Sequence, residues 1–282
     1  MSKYKSALPV LPERGYFIKG DKGEEVKKMQ RAVNWANNGS IVAPLKVDGI
    51  AGDLTIRAVA FMEEIHHMAI DGHFGTKCRK LIANMNLTGA IKACNWAVSV
   101  AKDNRFTYGA GQRAHRSGCY FCQTNTGPRK KKKEKKGEPH VVKDSKGHGH
   151  TYTMTYCCNT FITAAYAHGA KDKKIYSICH SGSCCGMNPS DWTKSPNFKN
   201  MGEAKKLPFK NLKAGDVIMN TGNVGAGHVW MYLGGDRYVE ATSLGGKDKA
   251  WSSDSIRAKS GAKSYYTRYQ KYSVCKVVRY TG

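Results

Sequence analysis

Apolar residues recur every three or four positions along three stretches in the first third of the chain. They fall at Val26, Met29, Val33 and Trp35, then at Ile56, Val59, Ala60 and Met62 to Ile65, then at Leu81 and Ile82. That spacing gathers them on one face of a helix, so a unit of three amphipathic helices is expected from about Arg14 to Met85. A fourth periodic run, Gly89 to Lys102, carries Ile91, Ala93, Cys94, Ala97, Val98 and Ala101, and the glycines and polar residues from Asp103 to Gly111 stop it. A fifth begins at Cys158 and runs to His168, with Gly169 placed to close it. The last third changes period. Val217 to Met219, His228 to Leu233 and Arg237 to Thr242 read as strands, and Gly234-Gly235-Asp236 joins the last two into a hairpin. Tyr272 to Tyr280 alternates in part and reads as an edge or closing strand. Helices followed by antiparallel strands give an α+β layout.

Two of the helical runs share a lead-in. Val47-Asp48-Gly49-Ile50-Ala51-Gly52 and Ile70-Asp71-Gly72-His73-Phe74-Gly75 both read apolar-Asp-Gly-x-x-Gly. The glycine pair permits a tight turn at positive φ, and the aspartate can accept hydrogen bonds from the turn backbone.

Composition narrows the setting. The chain has 282 residues with 46 Lys+Arg against 21 Asp+Glu, a formal charge of +25, so an anionic partner is expected: wall polymer, lipid or nucleic acid. No apolar run of ~20 residues is present to cross a membrane. The N-terminal MSKYKSALPVLPERG lacks the apolar segment of a secretory signal, so synthesis in a cytosol is expected, and with it reduced thiols for the 10 cysteines. The run from Arg129 to Gly137 holds lysines with no interleaved aromatics. It reads as a solvated segment rather than a nucleic-acid surface, which would carry stacking side chains. Cys119-Tyr120-Phe121-Cys122 has the C-x-x-C spacing that can form half of a structural zinc site, for which His115, His140, His148, His150 and Cys179, Cys184 or Cys185 are candidate partners. No second C-x-x-C accompanies it, and buried reduced cysteines or a disulfide are the alternatives. No other cofactor is expected, and no metal at the catalytic site.

Two resemblances emerge from these motifs. VDGIAGDLT and IDGHFGTKC resemble the turn of the small three-helix peptidoglycan-binding family, D-G-x-x-G-x-x-T, with Cys78 in the place of the second threonine. From Gly89 onward, four segments in order resemble the NlpC-type cysteine peptidases: Phe106-Thr107-Tyr108-Gly109, Cys158-Asn159-Thr160-Phe161-Ile162, Leu212-Lys213-Ala214-Gly215-Asp216 and His228-Val229-Trp230-Met231-Tyr232-Leu233-Gly234. The departures are Cys157 where that family often has Asp, and Glu240 where the third polar residue is often His. The resemblance implies a wall-binding domain over 1–86 and a papain-like α+β catalytic domain over 87–282. It implies cleavage of stem-peptide amides in peptidoglycan, with the muramoyl–alanine amide and a non-catalytic wall-binding role as alternatives. A phage-type endolysin, a monomer held in the host cytoplasm until lysis, is the setting it suggests.

The chemistry fits these positions. Cysteine attacks as the thiolate, which a helix N-terminus and a nearby imidazolium stabilise. The expectation is Cys158 as nucleophile, His228 as its base and acid, Glu240 orienting the imidazole, and Tyr108 with backbone N–H groups at the oxyanion. The resemblance implies Cys158 and not Cys157, because the family pattern has Phe three positions after the cysteine, where Phe161 follows Cys158 and Thr160 follows Cys157.

Overall fold

A computed structural model describes residues 3–42, 44–103, 106–108, 140–143, 149–152, 155–175, 188–220, 227–242, 256–271 and 274–282. The N-terminal helices are α1 (Glu24–Ala36), α2 (Asp53–Ile65) and α3 (Thr76–Asn84), tied by a two-residue antiparallel pair, β1 (Tyr16–Phe17) with β2 (Phe74–Gly75). Their apolar faces enclose a core of their own, including Val26, Met29, Val33, Val59, Met62, Phe74 and Ile82.

The repeated turn is built the same way twice. Gly49 and Gly72 take positive φ, 79° and 70°. Gly52 and Gly75 do not; they cap the helices that follow, so only the first glycine of each pair needs its conformational freedom. Asp48 Oδ1 accepts from Ile50 N at 3.0 Å, and Asp71 Oδ1 from His73 N at 2.7 Å. A buried side chain of the preceding helix receives each glycine N–H: Gln30 takes that of Gly49 at 2.9 Å and Glu63 that of Gly72 at 2.8 Å. Even the Cys78 departure is conserved in role. Its thiol reaches His73 O at 3.6 Å, as the Thr55 hydroxyl reaches Ile50 O at 3.3 Å.

The remainder is α+β. A six-stranded antiparallel sheet has the order β11-β10-β9-β8-β12-β7, with β7 Phe198–Glu203, β8 Val217–Asn220, β9 His228–Gly234, β10 Arg237–Ala241, β11 Ile256–Ser260 and β12 Cys275–Tyr280. The C-terminal strand is therefore interior, between β8 and β7, and not at an edge: Val277 and Val278 are fully buried and it pairs on both sides. Val229, Met231, Leu233 and Val239 face helices α4 (Gly89–Ala101) and α5 (Cys158–Ala164). Trp230, Tyr232 and Tyr238 face helix α7 (Ala262–Gln270) on the other side; α6 is the short Pro189–Trp192. Short pairs β3 (Thr107–Tyr108) with β6 (Thr155–Tyr156), parallel, and β4 (His140–Lys143) with β5 (Gly149–Tyr152) complete the described strands.

Two details hold α5. Its last turn widens into a π-helical turn over Ala165–Gly169. Gly169 does not close the helix at positive φ as its position suggested; Lys171, at φ 57°, takes that conformation. Gly169 instead lets α4 approach, since a Cβ there would lie 2.6 Å from Lys92 O and from Trp96 Cβ. The ring of Trp96 then packs against Tyr156 and Phe161 at centroid distances of 6.1 and 6.0 Å. In the 212–216 turn, Asp216 is buried and bonded by Arg279 Nε at 2.8 Å and NH2 at 2.6 Å, which fastens the turn to β12.

The two cores are joined by a latch. Helix α2 ends in a Schellman motif, with Met68 N bonded to Glu63 O and His67 N to Glu64 O at 2.8 and 3.2 Å. The residue that must turn left-handed is His67, at φ 61°, where glycine is usual. Its ring explains the exception. Nε2 lies 3.0 Å from Leu233 O and Nδ1 3.3 Å from Arg237 NH1, while the ring rests on Gly235, where a Cβ would be 3.0 Å away. Arg237 also donates to Glu64 O at 2.7 Å. Burial and the Arg237 charge lower the His67 pKa, so the neutral ring donates from Nε2 and accepts at Nδ1. His67→Asn, which tolerates the left-handed backbone, is expected to lower the unfolding free energy by about 1–2 kcal/mol for the lost bonds, measured by urea titration.

Candidate active site

Strand β6 leads straight into the helix that begins at Cys158. Cys157 precedes the helix and caps it: its N–H donates to Thr160 Oγ1 at 3.0 Å and its O accepts from Phe161 N at 3.0 Å. Its thiol turns back onto Asn159 Oδ1 at 2.6 Å and Thr160 Oγ1 at 3.2 Å. Both cysteines are free thiols.

The two differ in electrostatics. Burial pushes the Cys157 thiol above its ordinary value, only partly offset by Thr160, so it stays protonated at neutral pH. Burial also acts on Cys158, but a hydrogen bond to His228 and the charge of that ring outweigh it, helped by the N–H groups of Val229 and Asn159, and its pKa is lowered. Cys158 Sγ lies 4.0 Å from the carbonyl oxygen of Gly227, the residue before β9.

His228 opens β9, and Glu240 sits near the end of β10. Register brings them together: Glu240 stands opposite Trp230, so His228 is its diagonal neighbour on the same face. His228 Nε2 and Glu240 Oε2 are 2.7 Å apart. That leaves Nδ1 for the sulfur. Burial lowers the His228 pKa, but the hydrogen bonds and charges of Cys158 and Glu240 outweigh it and hold the ring at about 9. Glu240 is fully buried; burial raises its pKa, yet His228, Tyr265 and Arg257 together leave it lowered and ionised. Arg257 donates to Oε1 from Nε at 2.8 Å and reaches it from NH2 at 2.7 Å, and the Tyr265 hydroxyl donates to Oε2 at 2.8 Å.

The structure thus brings together Cys158, His228 and Glu240. Residue 108 is placed beside them by backbone only, since β3 pairs Tyr108 with Tyr156, two positions before Cys158; its side chain lies outside the described residues. So do Cys119, Cys122, His115, His148, Cys179, Cys184, Cys185, the 129–136 lysine run and the side chains of His140 and His150. Among the described residues no group of three His, Cys, Asp or Glu side chains is placed to hold a metal, and no helix is long and apolar enough to cross a membrane.

Arg257 and Tyr265 were not legible as site residues. Arg257 lies directly opposite Glu240 in the β10–β11 register, a relation that exists only once the edge strand is paired. No family model, curated protein or solved structure matches the chain.

The pair predicts a pH profile. Thiolate and imidazolium coexist above the lowered Cys158 value and below about 9. A reaction in which Cys158 attacks and His228 donates a proton is expected to rise as Cys158 ionises and to fall above about pH 9 as His228 loses its proton, read from kcat/KM against pH. The raised imidazole also stabilises the fold fully below its ordinary 6.5, a contribution lost as pH rises through about 9.

Proposed function

We propose that the protein is a peptidoglycan hydrolase that cleaves stem-peptide amide bonds through Cys158, built as a wall-binding domain over 1–86 and a papain-like NlpC-type domain over 87–282. The observation that carries this reading is His228, bonded at 2.7 Å to buried Glu240, with its charge beside Cys158 holding that thiol below its ordinary value. The wall as substrate rests on the D-G-x-x-G turns and on the +25 charge, which suits an anionic polymer. Release at lysis from the host cytoplasm, as for an endolysin, is the setting proposed.

The thiolate attacks the amide carbonyl and forms the C–S bond. Backbone N–H groups at the start of α5 face the oxygen that becomes charged. The His228 imidazolium gives its proton to the amine as the C–N bond breaks. Neutral His228 then takes a proton from water, the hydroxide attacks the thioester, and the thiolate leaves with a carboxylic acid formed.

Mass spectrometry of digested, purified peptidoglycan tests the reading. New amino termini on stem residues are the expected result. Free lactyl groups on muramic acid would assign the muramoyl–alanine amide instead. Intact peptidoglycan that binds the protein would leave a wall-binding protein without hydrolysis.

A further inference from the structure

Glu240 is held by more than the imidazole it orients. It is the meeting point of β9, β10, β11 and α7, and none of its surface reaches water. A buried carboxylate is costly unless its oxygens are satisfied and its charge is balanced. Here Oε2 receives His228 and Tyr265, and Oε1 receives the two nitrogens of Arg257. Arg257 is itself only 23% exposed along its side chain, so water screens this pair weakly.

We infer that Arg257, with Tyr265, is a positioning residue for His228: it fixes the rotation of the Glu240 carboxylate and completes a chain of four alternating charges from Cys158 through His228 and Glu240 to Arg257. This inference rests on Cys158 being the reactive thiol of the proposed hydrolase.

The geometry gives each member a separate task. Oε1 is pinned on the far side by Arg257, which leaves Oε2 aimed at His228 Nε2. The ring therefore keeps Nε2–H toward the carboxylate and Nδ1 toward the sulfur. The four charges sum to zero, so the buried set carries no net charge. Without Arg257 the same set would hold a net negative charge around a carboxylate that water does not reach.

Among the described residues no cation besides Arg257 and the His228 ring bonds Glu240; Lys259 on β11 is exposed, and Arg268 on α7 lies 5.9 Å from the Tyr269 ring. From β10 comes Tyr238, from α7 Tyr265 and Tyr269, and from α5 Cys157, which keeps its proton. Tyr265 is stacked on Tyr238 at 4.5 Å and 14°, and lies 5.2 Å from the ring of Trp230. Burial and the Glu240 charge raise the Tyr265 phenol far above its ordinary value, so it acts as a fixed donor and not as a titrating acid.

The test is the pH dependence of Cys158 alkylation by iodoacetamide, with the peptide carrying Cys157 and Cys158 resolved by mass spectrometry. It needs no substrate. The wild-type profile is expected in two steps: the first as Cys158 ionises, the second as His228 loses its proton near pH 9. Removing one positive charge raises the pKa of every nearby group. In Arg257→Gln both steps should therefore move up, by about one unit for a charge at this range and an effective dielectric of about 20. Arg257→Lys should return both steps close to the wild type, because it restores the charge. Tyr265→Phe should give a smaller upward shift of the second step, and reads the same clamp if Arg257→Gln does not fold. Steps that stay in place in the folded Arg257→Gln variant, or in Tyr265→Phe where only that variant folds, would overturn the inference. Shifted steps in a protein that leaves peptidoglycan intact would sustain the clamp and sink the hydrolase reading. Hydrolysis with unmoved steps would do the reverse.

Discussion

Cys158→Ala is expected to remove hydrolysis of purified peptidoglycan, by on the order of 10⁴-fold or more, the scale seen when a covalent nucleophile is deleted. Cys157→Ala is expected to retain most of the rate. The contrast follows from what each thiol touches. The charge of His228 holds Cys158 as the more acidic thiol, whereas Cys157 bonds Asn159 and Thr160 and is pushed up by burial. The Cys157 backbone makes the main capping bonds, which alanine keeps. Its substitution should therefore cost about 1 kcal/mol or less in stability. Release of soluble fragments, with urea titration beside it, measures both variants. Undiminished release by Cys158→Ala would end the assignment of this thiol.

The second large effect is expected at Glu240. Glutamine keeps the volume but replaces one oxygen with an NH₂ group. Arg257 demands an acceptor at Oε1, so the amide oxygen takes that side and the NH₂ faces His228. The ring must then present a bare Nε2 to this donor and carry its proton on Nδ1, toward the sulfur. That is the wrong tautomer for a thiolate–imidazolium pair, because no carboxylate remains to stabilise the ring's charge. A loss of about 10²–10⁴-fold in kcat/KM is expected. Stability should fall by roughly 3–5 kcal/mol, since Arg257 and Tyr265 lose the charge they surround. A fall in stability with kcat/KM unchanged would show that Glu240 serves the fold alone.

Local signals carried much of this architecture, and long-range ones did not. The three N-terminal helices follow from their apolar spacing, and the turn aspartates bond the N–H two positions on, as their place in the motif implies. The hairpin carrying His228 and Glu240 was legible because Gly234-Gly235-Asp236 needs positive φ at all three positions and supplies it. The sequence left β12 as an edge or closing strand, and the structure places it inside the sheet, because alternation says nothing about how many neighbours a strand has. Strand β7, strand β11 and helix α7 lack a strong periodic signature. Lys259 and Ser260 are exposed on β11, and α7 buries only Ala262 and Tyr266. With β11 and α7 unread, Arg257 and Tyr265 could not be joined to Glu240.

The histidine at the end of α2 has a mechanical meaning. A binding module on a flexible tether samples a volume and lets its partner act anywhere within reach. Here Leu233 and Arg237, at the far end of the hairpin from His228, are bonded to His67 and Glu64. These bonds tie the helix that ends at His67 to the sheet that carries His228, and so tie the D-G turns to the Cys158 site. On the proposed wall-binding reading, the chain is a ruler and not a leash: the thiol stands at the span from the gripped polymer that these bonds set.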